Sequence, residues 1–263
     1  MYNNKRIIKY VKNILSNYKY KDKTYNIRFV SDTELVAEKY TNPVDDVYYI
    51  KISNHKEYKT LRNLSDIVNI PRLIIGFILP LSDIYTNKTN ICDTCIIFTR
   101  FVPIYNNILL PNLGQTYNKY SIKNKKIVMF NLIELVYNIH KRNYVHGDIR
   151  MGNLIVYDLN VYTIDLKKSY KLCKFCNKQN YNNFKCNKCK LRSSNDTYYS
   201  PPESKLTNNY YPGKEYDLWS LGMVLKELFN NLDNISIEKY IVNFIHTLLS
   251  YNILDRTLNN FGL

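Results

Sequence analysis

The sequence predicts an α+β fold in two parts, a small β-rich N-terminal lobe over residues 1–102 and a mainly helical C-terminal lobe over residues 103–263. Three observations carry this. "YNIRFV", "ELVAEKY" and "VYYIKIS" are β-branched and aromatic runs separated by the turn-forming "SDT" and "TNPVDD". From Ser121 onward, "SIKNKKIVMFNLIELVYNIHKR" repeats its apolar residues near a 3.6 period. Beyond Pro202, two further helical patterns follow with no strand between them.

In chain order, Ile7, Ile8, Val11 and Ile14 have the spacing of a short amphipathic helix. The three β-rich runs then read as an antiparallel meander. "HKEYKTLRNLSDIV", with Leu61, Leu64 and Ile67 every three residues, predicts one helix. "RLIIGFILPL" and "TCIIFTRFV" predict two more strands, making a five-stranded antiparallel sheet plus one helix. The long helix after Ser121 is expected to bury Ile127, Phe130, Ile133 or Glu134, Val136 and Ile139. "LIVYD" and "VYTIDL" predict a short hairpin, and "YDLWSLGMVLKELFNNL" and "SIEKYIVNFIHTLLSYN" predict the last two helices.

Composition bounds the function. Hydrophobic residues at 45% and aromatics at 14% are enough to build a core, which argues against a disordered chain. A formal charge of +15 permits acidic proteins, nucleotides or nucleic acid as partners. The basic residues are scattered, and Lys, Asn, Ile and Tyr are all spelled by AT-rich codons, so solvated faces account for much of the charge and a nucleic-acid partner has no support of its own. "RLIIGFILPL" is too short to span a bilayer, and the first residues lack the apolar core of a signal peptide. The expectation is a cytoplasmic protein without a membrane partner, a monomer or weak dimer, in host cytoplasm if the source is a virus.

Chemistry concentrates in "YVHGDIRMGNLIVYDLNVYTIDL". Phosphoryl transfer needs a carboxylate beside the attacking hydroxyl, oxygen ligands for a hard divalent ion, and cations for the phosphates. Asp148 offers the carboxylate and Arg150 the cation. Asn153 and Asp165 offer ligands for Mg²⁺ or Mn²⁺.

With those residues in hand, the chain resembles the eukaryotic protein kinase superfamily over roughly residues 26–258. His146, Gly147, Asp148 and Asn153 are similar to the catalytic loop H-R-D-x-x-x-x-N, and Asp165 stands where the DFG aspartate belongs. "SPPES" resembles the A-P-E element through Glu203, and "DLWSLG" resembles D-x-W-S-x-G through Asp217, Trp219, Ser220 and Gly222. The resemblance implies a bilobal protein-kinase-like fold, ATP with Mg²⁺, and a protein substrate. It also implies that Lys51 in "VYYIKIS" holds the α- and β-phosphates, that Glu57 pairs with Lys51, and that Arg256 pairs with Glu203. A lone strand lysine would otherwise read as a solvated edge residue. Glu57, only six residues after Lys51, is closer than the family pattern, and reads either as the partner across a deleted loop or as a first-turn acid favoured by the helix dipole.

Departures from the family keep alternatives open. No glycine stands among Ser31, Asp32, Thr33 and Glu34, where a glycine-rich loop belongs. Leu166 and Lys167 replace the Phe and Gly of DFG. Gly147 replaces the arginine that clamps a phosphorylated activation loop, which implies another switch. Thr197 is one residue off the substrate-loop threonine. The expected activity is an ATP-dependent Ser/Thr protein kinase. The alternatives are a pseudokinase acting as a binding protein and a small-molecule phosphotransferase, the latter disfavoured by "SPPES" and "DLWSLG".

All six cysteines fall in C-x-x-C pairs. Cys173, Cys176, Cys186 and Cys189 form C-x₂-C-x₉-C-x₂-C within an insertion at 173–189, and four thiolates suit structural Zn²⁺. Seven nearby Lys and Arg residues, from Lys171 to Arg192, make either a basic surface for an acidic partner or nucleic acid, or a solvated knuckle. Cys92 and Cys95 have no second pair nearby and read as structural. His146 reads as support for the catalytic loop, and His55, His140 and His246 as helix-surface or core residues.

Overall fold

The computed structural model describes residues 9, 25–31, 34–39, 47–78, 94–100, 104–105, 108–109, 111–172, 198–205, 213–229 and 238–258. The helix expected around Ile7 to Ile14, the four-cysteine insertion and Thr197 lie outside them, as does Cys92. The chain divides into two compact units, residues 1–110 and 111–263.

The first unit is built on five strands, β1 (Tyr25–Ser31), β2 (Glu34–Lys39), β3 (Val47–Asn54), β4 (Arg72–Ile78) and β5 (Thr94–Arg100). They form one antiparallel sheet in the order β1-β2-β3-β5-β4. These runs are rich in Ile, Val, Tyr and Phe, whose branched or flat side chains suit a pleated surface. β3 is central, and Lys51 lies between Glu34 of β2 and Ile97 of β5. With both backbone edges paired, Lys51 starts from a fixed point.

Helix α1 (His55–Leu64) begins at the residue after β3 ends. It packs on β3, β4 and β5 and buries Glu57, Thr60, Leu61 and Leu64. Ile67, expected in the same helix, is buried beyond its end, in the turn that leads to β4. A small hairpin of β6 (Ile104–Tyr105) and β7 (Ile108–Leu109) completes this unit.

The second unit opens with the short helix α2 (Leu113–Thr116), whose N-terminus is closed by a capping box. Asn112 Oδ1 accepts from Gln115 N at 3.2 Å and Gln115 Oε1 accepts from Asn112 N at 3.0 Å. Helix α3 (Ile122–Lys141) starts at Ser121, whose hydroxyl accepts from Asn124 N at 3.2 Å. Then come β8 (Tyr144–Val145), a hairpin of β9 (Leu154–Tyr157) and β10 (Asn160–Thr163), and β11 (Tyr170–Lys171), which returns to pair with β8. Helices α4 (Lys214–Leu228) and α5 (Lys239–Leu248) follow.

The α3 pattern corrects the expected face. Phe130 is 47% exposed and Ile127 is 36% exposed, while Val128, Met129, Leu132, Ile133, Val136 and Ile139 are buried. The buried stripe runs 125, 128–129, 132–133, 135–136 and 139–140, so α3 is rotated from the phase that Ile127 and Phe130 imply. It is wide enough that both phases share Ile133, Val136 and Ile139. Leu221, Val224, Leu225 and Leu228 of α4, with Ile241, Phe244, Ile245 and Leu248 of α5, also belong to this unit's core. Each such side chain contributes roughly 1.5–3 kcal/mol by leaving water. α4 and α5 come so close that a Cβ on Gly222 would lie 2.9 Å from Leu248 Cβ. No described helix is long and apolar enough to cross a membrane.

Candidate active site

In the first unit, Lys51 Nζ lies 2.8 Å from Glu57 Oε1, and the two side chains are only 6% and 1% exposed. The direct passage from β3 into α1 explains the short spacing. With no loop between strand and helix, the first turn of α1 brings Glu57 beneath the lysine of the neighbouring strand. A buried ammonium requires a compensating charge, and Glu57 supplies it.

The second unit carries the loop between β8 and β9. Asp217, wholly buried in the first turn of α4, organises it. Its Oδ2 accepts from His146 N at 2.7 Å, and its Oδ1 accepts from Gly147 N at 2.9 Å. His140 Nε2 lies 2.9 Å from Oδ2, and with the carboxylate accepting, that nitrogen carries the hydrogen. His140, expected to be a helix-surface or core residue, is thus a core residue with a specific polar partner.

Gly147 has φ of +75°, in the left-handed region, and a Cβ there would meet Lys168 O at 3.1 Å. His146 Nδ1 accepts from Asp148 N at 3.2 Å, which leaves Nε2 as the N–H that donates to Thr163 Oγ1 at 2.5 Å. Burial lowers the His146 pKa below its ordinary value, against the opposing pull of Asp217, Asp148 and Asp165. The ring joins the β8–β9 loop to β10 as a neutral link.

Asp148 is buried, and both its oxygens are engaged. Asn153 Nδ2 donates to Oδ2 at 3.0 Å and to the Asp148 carbonyl at 2.9 Å. Lys168 Nζ lies 3.0 Å from Oδ1. Arg150 Nε stands 3.8 Å from Oδ2, on a side chain 42% exposed. Ile164 N donates to Asn153 O at 3.1 Å, so Asp165 directly follows a residue tied to Asn153. Asp165 Oδ1 accepts from Lys167 N at 3.1 Å. Leu166 is buried, so an apolar side chain is packed at the position where the family has Phe.

These groups fit a hard divalent cation. Both Nδ2 bonds of Asn153 go to Asp148, which leaves its amide oxygen, like a carboxylate oxygen of Asp165, of the donor type that such a cation takes. Among the described residues no cluster of three or more His, Cys, Asp or Glu is placed to hold a metal ion.

Farther along, Arg256 donates from both terminal nitrogens to Glu203, at 2.5 and 3.0 Å. Its guanidinium also stacks on Trp219, 4.8 Å from the ring centroid. Tyr199 donates to Glu227 at 2.5 Å, and burial, with Glu227 second, raises the Tyr199 pKa. Sequence reasoning missed Lys168 and Glu227. Neither stands in a motif, and the β8–β11 pairing, with Ser169 bonded to His146 O, brings Lys168 back to Asp148.

The model of the family described as "Protein kinase domain" matches residues 24–256. No curated protein matches the sequence. Among solved structures, the fold is similar to that of the Cydia pomonella granulovirus kinase PK-1, with a TM-score of 0.67 and 15% identity over 97% of each chain. At that identity the likeness shows the bilobal α+β kinase fold. Through the family match, the chain belongs to the protein kinase family, whose domain implies use of ATP and Mg²⁺ and a protein substrate.

Proposed function

We propose that this protein is a catalytically competent kinase that transfers the γ-phosphate of ATP to Ser or Thr hydroxyls of protein substrates. The observation that carries the reading is the state of Asp148. Its carboxylate is buried, oriented by Asn153 at 3.0 Å, and held in a loop that Asp217 fastens through two backbone N–H groups. In this reading Asp148 orients the substrate hydroxyl and takes its proton as the oxygen attacks phosphorus. Arg150 steadies the γ-phosphate, and Lys51, aligned by Glu57, holds the α- and β-phosphates. Asn153 and Asp165 are the proposed metal ligands. Mg²⁺, when bound there, would offset charge on the β- and γ-phosphates.

The test is transfer from labelled ATP to a general protein substrate. Asp148→Asn is expected to lower the rate by about 10²–10⁴-fold, the usual contribution of a general base. Equal transfer by the variant would remove Asp148 from that role.

The pseudokinase reading draws on the glycine-free Ser31 to Glu34 stretch, where backbone cannot approach phosphates as closely. ATP binding without any transfer by wild type would favour it.

For the insertion, four thiolates at Cys173, Cys176, Cys186 and Cys189 are proposed to hold one structural Zn²⁺, in a reducing cytoplasm. Protein purified without chelator should carry about one zinc per chain. A content far below that would exclude the site. The charge of +15 favours acidic substrates, whose capture should weaken as salt screens it.

A further inference from the structure

We propose that Lys168 is a positioning residue for phosphoryl transfer, holding the Asp148 carboxylate in the orientation from which it accepts the substrate's proton. The proposal rests on the reading of Asp148 as the base.

Among the described residues two cations approach Asp148, and they are not equivalent. Arg150, the cation inside the catalytic loop, stands 3.8 Å from Oδ2, beyond hydrogen-bond distance, on a side chain 42% exposed. Lys168 Nζ lies 3.0 Å from Oδ1, within it. Asn153 meanwhile donates to the other oxygen, Oδ2, at 3.0 Å. A donor on each oxygen fixes the plane of the carboxylate, which a single donor would leave free to turn. Each oxygen keeps a second lone pair for the incoming hydroxyl.

The lysine is itself held from several sides. Ser169 N donates to Leu166 O at 3.0 Å, and Ser169 Oγ donates to His146 O at 2.8 Å. Tyr170 and Lys171 then pair with Val145 and Tyr144. Gly147 belongs to the same arrangement. A Cβ there would lie 3.1 Å from Lys168 O and 3.6 Å from Lys168 Cβ, so the bare glycine admits the backbone that presents the ammonium. The chain lacks a side-chain cation at position 147 and carries one at position 168, turned onto Asp148.

In the step itself, the substrate oxygen forms its bond to the γ-phosphorus while the bond from that phosphorus to the bridging β-oxygen breaks. The electron pair departs with ADP, and the hydroxyl proton passes to Asp148. Lys168 neither gains nor loses a proton. It holds the acceptor in line, a geometry whose loss costs on the order of 10²-fold for a displacement of about 1 Å.

The experiment compares full-length wild type, Lys168→Met and Lys168→Arg for kcat, KM for ATP and melting temperature. The side chain is 36% exposed, so Lys168→Met is expected to fold with little change in melting temperature. Its kcat should fall by about 10–100-fold with KM for ATP within about twofold, and Lys168→Arg should recover most of the loss. A Lys168→Met protein with wild-type kcat overturns the proposal and leaves the kinase reading intact. One that fails to fold assigns Lys168 a structural role and overturns it as well. Wild type that transfers no phosphate overturns both.

Discussion

A buried carboxylate must find donors in the protein that replace water, and Asp217 takes two from the catalytic-loop backbone and one from His140. That requirement explains why an aspartate at the start of α4 controls a loop some 70 residues earlier in the chain. His146 faces a related constraint, with a different outcome. Its Nδ1 is occupied by a backbone N–H, and burial of the ring lowers its pKa. The unfolded chain therefore binds a proton first as pH falls below about 6.5, and stability drops progressively toward the lower folded value. Urea midpoints at pH 7.5 and 5.5 should decline in wild type and decline less in His146→Gln, which is itself weaker at neutral pH by about 1–3 kcal/mol. Identical slopes in both proteins would show that the histidine does not contribute. In the sequence, His146 was legible as a support and Gly147 as a lost arginine. The φ of +75° was not, because glycine is permissive and its presence alone does not reveal which conformation it serves.

At the scale of elements, register decides which side chains meet. Starting α1 immediately after β3 puts Glu57 within 2.8 Å of Lys51, where sequence spacing allowed either an ion pair or a first-turn acid. In α3, Ile127 and Phe130 satisfy a helical period yet lie on the exposed side, because the stripe of Val128, Met129, Leu132 and Ile133 is larger and takes the core. Periodicity specifies a helix better than it specifies its rotation when apolar residues occur all round. The crossing of α4 and α5 depends on Gly222, whose added Cβ would meet Leu248 Cβ and Leu249 Cδ2 at 2.9 Å. Alanine ordinarily favours a helix by about 1 kcal/mol over glycine. Here Gly222→Ala should instead destabilise by about 1–3 kcal/mol, since the Leu248 Cβ is fixed to backbone and cannot withdraw. Chemical denaturation checks the sign, and a stabilised variant would mean that α5 shifts without cost.

Across the second unit, Arg256 fastens distant parts of the chain. Its side chain is fully buried, bonded to Glu203 by two nitrogens, to Ser250 O at 2.8 Å through Nε, and stacked on Trp219. Removing one partner of such a pair leaves the other charge without compensation. Arg256→Ala should therefore cost about 3–5 kcal/mol, read as a lower urea midpoint, whereas an exposed pair would cost under about 1. A loss as small as the exposed case would mean that water or another group compensates Glu203. The pairing of Glu203 with Arg256 was anticipated from two motifs, and the bidentate geometry on a tryptophan face required the fold.

By itself the sequence determined the two-part α+β architecture and the order of the strands along the chain, and it singled out Lys51, Asp148, Asn153 and Asp165 as candidates, because alternation, period and motif spacing are local properties of a chain. Tertiary structure decided what those residues touch. The β8–β11 pairing returns Lys168 to Asp148, α4 delivers Asp217 to the loop backbone, and packing selects the face of α3. Each is a contact between residues far apart in sequence, and such contacts follow from which surfaces bury best together rather than from any one stretch of residues.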